Sequence, residues 1–421
     1  MRILWITNNL LPDACPFFKI PVTIKTGWLH SAANQIKDKV ELYIATTYRG
    51  NKIKEQKIKD ITYILIPSQK KSYLLDESTY PYWQQIKNTI QPNIVHIHGT
   101  EYPIGLSYIN SCGTKNVIIS IQGLISICSN FYNAGMNNWE ILKNTTLRDI
   151  LKGQTLWNNH RKFYKQGKYE TEYLKRINNF IGRTEWDHAQ IHANNISASY
   201  FFNNETLRAS FYHEQWDIKK IKRHSIFFSQ ATYPLKGLHQ LLKAMPTILK
   251  QFPDTQIFVA GFDVTQACAN KPFLGKILGT TYGHFIYAII KKLKLEKHIT
   301  FLGKLEEANM KDIFLKSHVF VSASAIENSS NSICEAQILG TPIVASFVGG
   351  TDSIVDNNIT GLLYPFDDIN RLAFSIIKIF TNDDLAIKLS KQGQTIAHNR
   401  HNPTQNRDQL LNIYKKIIER E

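Results

Sequence analysis

Residues 319–363 constrain the fold of this chain more than any other stretch. Val319 to Ala323 is apolar and β-branched, the composition of a buried parallel strand. A polar loop, 327–332, precedes a helical period in which Ile333, Ala336, Ile338 and Leu339 can face a sheet, with Gly340 and Pro342 as stops. Residues 343–347 (IVASF) read as a second buried strand, and Gly349-Gly350 turns the chain back over its end. Strand, loop, helix, strand and glycine turn make half of a doubly wound α/β unit. Such sheets bind ligands at the carboxyl ends of their strands.

Two carboxylates fall on that edge. Glu327 lies in the loop past the first strand, and Glu335 in the first turns of the helix. Between them, the backbone N–H groups around Ser330, Asn331, Ser332 and Ile333 sit at a helix N-terminus, a site suited to a diphosphate. Glu335 can accept hydrogen bonds from a ribose diol, and Glu327 can face the hydroxyls of a sugar. The plainer alternative is a loop carboxylate and a partner for the helix dipole.

The order Glu327 to Glu335, Gly340-Thr-Pro-Ile-Val-Ala-Ser346, Gly349-Gly350 and Thr360-Gly-Leu-Leu363 resembles the signature of retaining GT-B glycosyltransferases of family 4, the glycosyl transferases group 1. Bacterial enzymes of lipopolysaccharide and capsule polysaccharide assembly are among its members. The resemblance implies an α/β, GT-B fold: two Rossmann-like doubly wound domains facing a central cleft. Residues 1–218 would form the acceptor-binding domain and 219–396 the nucleotide-sugar domain, with the crossing near 214–223. Residues 397–421 would form a helix that crosses back toward the first domain.

Composition limits the partners. The 421 residues suffice for two cores. Five scattered cysteines show no metal spacing and suit a reducing compartment. The sequence enters a strand at once, without an apolar leader, and contains no 18-residue apolar run. We therefore expect a cytoplasmic chain able to work at the inner face of the cell membrane. A net charge of +16 suits anionic donors and anionic lipid, and no nucleic-acid-binding signature accompanies it.

In the first half, strands are expected at 2–7, 41–47 and 61–67. Gly27 matches the last glycine of the family's Gly-rich turn, with Lys25 adding charge beside it. His96 and His98 share one face of a strand, and the resemblance puts His98 near the substrates. Gln122 stands where many relatives carry a histidine that touches the donor sugar; an amide there still donates a hydrogen bond but does not titrate. Residues 125–175 alternate aromatic and basic side chains, as an acceptor-binding or membrane-facing excursion would, or as a helical pair packed on the sheet. Thr184 and Asp187 suit a helix cap, and Arg183 is expected at the strand exit, facing phosphate or acceptor.

In the second half, Lys236-Gly237 matches the family's diphosphate clamp. Gln230 replaces its arginine, so Lys304 is a candidate second cation. Gly303 and Leu305 match the turn that seats the nucleotide base. The resemblance assigns catalysis to Glu327, Lys236 and Gln122, with Glu335, Gly27, Gln230, Gly303, Leu305 and residues 330–333 binding the donor. It implies a metal-independent hexosyltransferase without a cofactor, acting on a nucleotide sugar and a glycan or lipid-linked acceptor. A non-catalytic scaffold of the same fold and a nucleotide-sugar epimerase are the rival readings.

Overall fold

The apolar runs form two separate sheets in the computed structural model, which describes residues 1–22, 27–270 and 274–420. In the first unit the strands are β1 (Arg2–Ile6), β2 (Glu41–Tyr48), β3 (Lys54–Ile58), β4 (Ile61–Pro67), β5 (Ile94–His98), β6 (Val117–Ser120), β7 (Asn179–Gly182) and β8 (Ser199–Phe202). Their order is β3-β4-β2-β1-β5-β6-β7-β8, parallel except for the antiparallel β3–β4 pair. Alternation along β1 decides which face each core takes. Ile3 and Trp5 pack with the helices Gly27–Ile36 and Pro403–Glu419, whereas Leu4 and Ile6 pack with Trp83, Ile86 and Leu106 on the other face.

The second unit holds β9 (Lys222–Phe228), β10 (Gln256–Ala260), β11 (Ile299–Gly303), β12 (Ser317–Ser322), β13 (Ile343–Ser346) and β14 (Leu362–Tyr364). The sheet is parallel throughout, in the order β11-β10-β9-β12-β13-β14. β12 is buried along its whole length, as a strand covered on both faces should be. In the helix Asn331–Leu339, Ile333, Ala336, Ile338 and Leu339 are all buried, and Gly340 ends it in the left-handed conformation.

The two units are not continuous in sequence. The first comprises 1–127, 163–209 and 400–421; the second comprises 128–162 and 210–399. The chain thus passes between units at 209–210 rather than near 214–223. Trp216 already belongs to the second unit, its N–H donating to Leu339 O at 2.7 Å and its indole to Ser317 O at 2.8 Å. The excursion 128–162 joins the second unit through buried bonds: Asp149 accepts from the N–H and hydroxyl of Thr281, and Thr146 donates to Gly279 O.

Candidate functional site

At the carboxyl ends of β9 and β12, a pocket is lined by Gln230, Lys236, Ser322, Ser324, Glu327, Ser330 and Ser332 among others. Its geometry follows from a close approach of backbone. Residues Pro234–Lys236 form a 3₁₀ turn closed by Gly237 at φ 74°. A Cβ on Gly237 would overlap the carbonyl oxygen of Ala323, so only glycine lets this turn touch the exit of β12. Ala325 N–H donates to Leu235 O at 2.8 Å and locks the contact. The result sets Lys236 against Glu327.

Lys236 Nζ pairs with Glu327 Oε1, and the side chains are only 23% and 15% exposed. Ser324 donates its hydroxyl to the same carboxylate oxygen at 2.8 Å. Burial pulls the Lys236 ammonium down, but the Glu327 carboxylate and the Tyr233 hydroxyl outweigh it and hold it above the ordinary lysine value. The lysine is therefore a permanent cation at the strand edge. Beside it the helix Asn331–Leu339 begins at Ser330, which makes no side-chain cap. Its first ladder bond runs from Cys334 N–H to Ser330 O, so the N–H groups before Cys334 lie outside the helix's own ladder. A fixed cation and a helix N-terminus in one pocket can receive a diphosphate.

The remaining expected donor contacts are distributed. Glu335 is partly buried on that helix, and Asn331 is its first residue. The Ile333 side chain belongs wholly to the core, leaving only its backbone for binding. Gly303, at φ 69°, ends β11 at the sheet's edge and Leu305 follows it; neither lines the pocket. Lys304 is exposed there and is not the pocket's second cation. Gln230 lines the pocket and donates to Thr232 Oγ1 at 3.2 Å.

A second pocket opens in the first unit past the ends of β5, β6 and β7. Trp5, Trp28, His98, Gln122, Arg183 and Glu205 contribute to it. Gln122 donates through Nε2 to Glu205 at 2.7 Å and accepts from Arg183 at 3.4 Å, so its amide is oriented from both ends. Arg183 lies at the strand exit and in the pocket wall as expected, but its guanidinium is already engaged. Its side chain is 5% exposed and pairs with Glu205 at 2.9 Å, which burial of a guanidinium requires. His96 is held by Tyr414 and Ser120, both at 2.6 Å, and burial lowers its pKa to about 3. It is a structural histidine. Both ring nitrogens of His98 are buried without a hydrogen-bond partner among the described residues. Burial, then the neighbouring His96, keeps the His98 ring neutral. Gly27 starts its helix against the Arg208 side chain, and Lys25 lies outside the described residues.

Thr184 caps the helix Glu185–Asn194 by accepting from Asp187 N–H at 3.0 Å, while the Asp187 carboxylate takes the Arg183 N–H. Sequence reasoning missed Glu101, Glu205 and Ser324, all loop residues without a periodic signal. Glu101 accepts from Gly123 N–H at 3.0 Å. Burial, helped by the nearby Glu170 carboxylate, raises its pKa to about 7. Among the described residues, no group of three His, Cys, Asp or Glu side chains is placed to hold a metal ion, and no helix is long and apolar enough to cross a membrane.

Residues 211–396 match the family described as glycosyl transferases group 1. Over 183 residues the chain is 25% identical to D-inositol 3-phosphate glycosyltransferase of Corynebacterium urealyticum, covering 44% of this chain and 41% of that protein. It spans less than half the length of the curated relatives it matches. Sucrose-phosphate synthase from Thermosynechococcus elongatus superimposes with a TM-score of 0.74 at 14% identity, covering 100% of both chains. Anabaena HepE in complex with UDP-glucose gives 0.64 at 14% identity, covering 99% of this chain and 100% of that one. At such identities the likeness is one of fold, and the fold is GT-B.

Proposed function

We propose that this chain, a GT-B protein related through residues 211–396 to the group 1 glycosyl transferases, is itself a glycosyltransferase. It moves a hexosyl group from a nucleoside-diphosphate sugar to a glycan or lipid-linked acceptor, with retention at the anomeric carbon and without a metal ion. The reaction belongs to cell-surface polysaccharide assembly at the inner face of the membrane.

The observation that carries this reading is the Lys236–Glu327 pair at the N-terminus of the helix Asn331–Leu339. Lys236 and the N–H groups of residues 330–333 neutralise the diphosphate as it departs. Glu327, anchored by Ser324, orients the donor sugar and stabilises positive charge developing at its anomeric carbon. Glu335 binds the ribose. Gln122, held by Arg183 and Glu205, offers a fixed amide to the sugar.

HepE, of like fold, is known in complex with UDP-glucose, which makes UDP-glucose the first donor to try. The test is thermal stabilisation by UDP-, GDP-, ADP- and TDP-sugars without added metal. One donor class should raise the midpoint, and Lys236→Met should abolish that rise. A folded protein that no donor shifts points instead to a scaffold. Conversion of the donor alone into a new nucleotide sugar identifies an epimerase.

A further inference from the structure

The excursion 128–162 presents an unusual outer face. In the helix Asn138–Asn144, Trp139 is 69% exposed and Leu142 58%. In the next helix, Leu147–Leu151, Ile150 is 57% exposed and Leu151 78%. The short helix Gly275–Leu278 adds Ile277 and Leu278, at 42% and 52%. Thr146 joins these last two helices by donating to Gly279 O at 2.8 Å. Large apolar side chains left exposed on three helices of one unit, packed against one another or against the common helix Thr281–Leu293, mark an interaction site rather than ordinary scatter.

These side chains have no inward alternative. Ile141, Thr146 and Asp149 fill the inner face, each at most 3% exposed. Asp149 is committed to the N–H and hydroxyl of Thr281 at 2.7 and 2.8 Å, and Asn144 to the His284 ring at 2.8 Å. The helices are pinned by buried polar bonds with their apolar residues turned to solvent.

Charge decides the partner. Lys143, Lys152 and Lys276 are exposed beside the apolar residues. The acids of the segment are engaged elsewhere: Asp149 is buried, and Glu140 closes a capping box on Asn137. An apolar face rimmed by lysine matches the interface of an anionic bilayer, where apolar groups enter the acyl boundary and ammonium groups meet phosphate. We propose that this surface of the second unit docks on anionic lipid membranes. The inference deepens the membrane-face location proposed above. Its test needs neither donor nor transfer, so either reading can fail without the other.

The experiment is co-sedimentation of the full chain with vesicles of phosphatidylcholine alone and with equal parts phosphatidylcholine and phosphatidylglycerol. The chain should bind the mixed vesicles and not the neutral ones, with binding weakened by salt. Ile150→Ser with Leu151→Ser should reduce partitioning about tenfold, and Lys143→Glu with Lys152→Glu by a similar factor. All four positions are exposed, so both variants should keep the parent's thermal midpoint. Two results would overturn the proposal: a folded parent that ignores the mixed vesicles, or variants that bind as well as it does. A self-association broken by Leu151→Ser, without vesicle binding, would assign the surface to a second copy instead.

Discussion

Gly350 N–H donates to the carbonyl oxygen of Glu327 at 3.0 Å, so the loop carrying the carboxylate is fastened to the glycine turn after β13. The neighbouring Gly349, at φ 54°, passes so close that a Cβ would overlap the same carbonyl. Gly349→Ala should therefore destabilise the second unit by about 1–3 kcal/mol and displace Glu327. Denaturant unfolding with and without donor measures both effects. An unchanged donor response in the variant would show that the turn does not position the carboxylate.

Lys236 and Glu327 should fail in different ways. Lys236→Met removes the cation facing the diphosphate and should weaken donor binding by about two orders of magnitude, near 3 kcal/mol. Glu327→Ala should lower turnover far more than it weakens nucleotide binding, because its carboxylate acts on the sugar end. Titration calorimetry with donor, set beside initial rates, separates the two. Equal losses of binding and rate in Glu327→Ala would remove the division of labour.

The raised pKa of Glu101 makes stability depend on pH with a definite sign. The carboxyl, raised by burial to about 7 from 4.5, keeps its proton in the folded chain where the unfolded chain has lost it. The stability it contributes is full below about pH 4.5 and is lost as pH rises through about 7, an effect on the order of 3 kcal/mol. Glu101→Gln should consequently gain on the parent from about pH 5 to about pH 8. Thermal midpoints across that range check it. A gap that does not change with pH would mean the carboxyl titrates normally.

Arg183 and Glu205 form a buried pair, so removing one partner should harm more than removing both. Arg183→Met strands the Glu205 carboxylate and should destabilise the first unit by about 3–5 kcal/mol. The double variant with Glu205→Gln should recover much of that loss. A double-mutant cycle in urea reads the coupling, and additive losses would show the pair to be independent.

The second sheet was legible because its strands are short, β-branched and buried on both faces, a pattern with few alternatives. Lys236-Gly237 was legible through its resemblance to the family's clamp, and the structure supplies the reason for the glycine, a close approach to the exit of β12 that admits no Cβ. β3 escaped notice: KEQKI sits at a sheet edge, exposed at four of five positions, and its pairing with β4 leaves no apolar alternation. The allegiance of residues 128–162 was equally hidden, since Asp149 finds its partner 132 positions away in Thr281. Arg183 misled for a related reason. Its place at a strand exit suggested a guanidinium free for phosphate or acceptor, but Glu205, on a loop after β8, already holds it within the pocket wall.

The last helix carries a consequence for the timing of synthesis. Tyr414 reaches into the core beside β1, accepting from the Trp5 indole at 3.0 Å and bonding His96 at 2.6 Å. On the ribosome, Trp5 is made about four hundred residues before its partner arrives. The second unit, wholly translated by residue 399, can close while the first still lacks a wall of its core. The order of birth and the order of completion are reversed in this molecule.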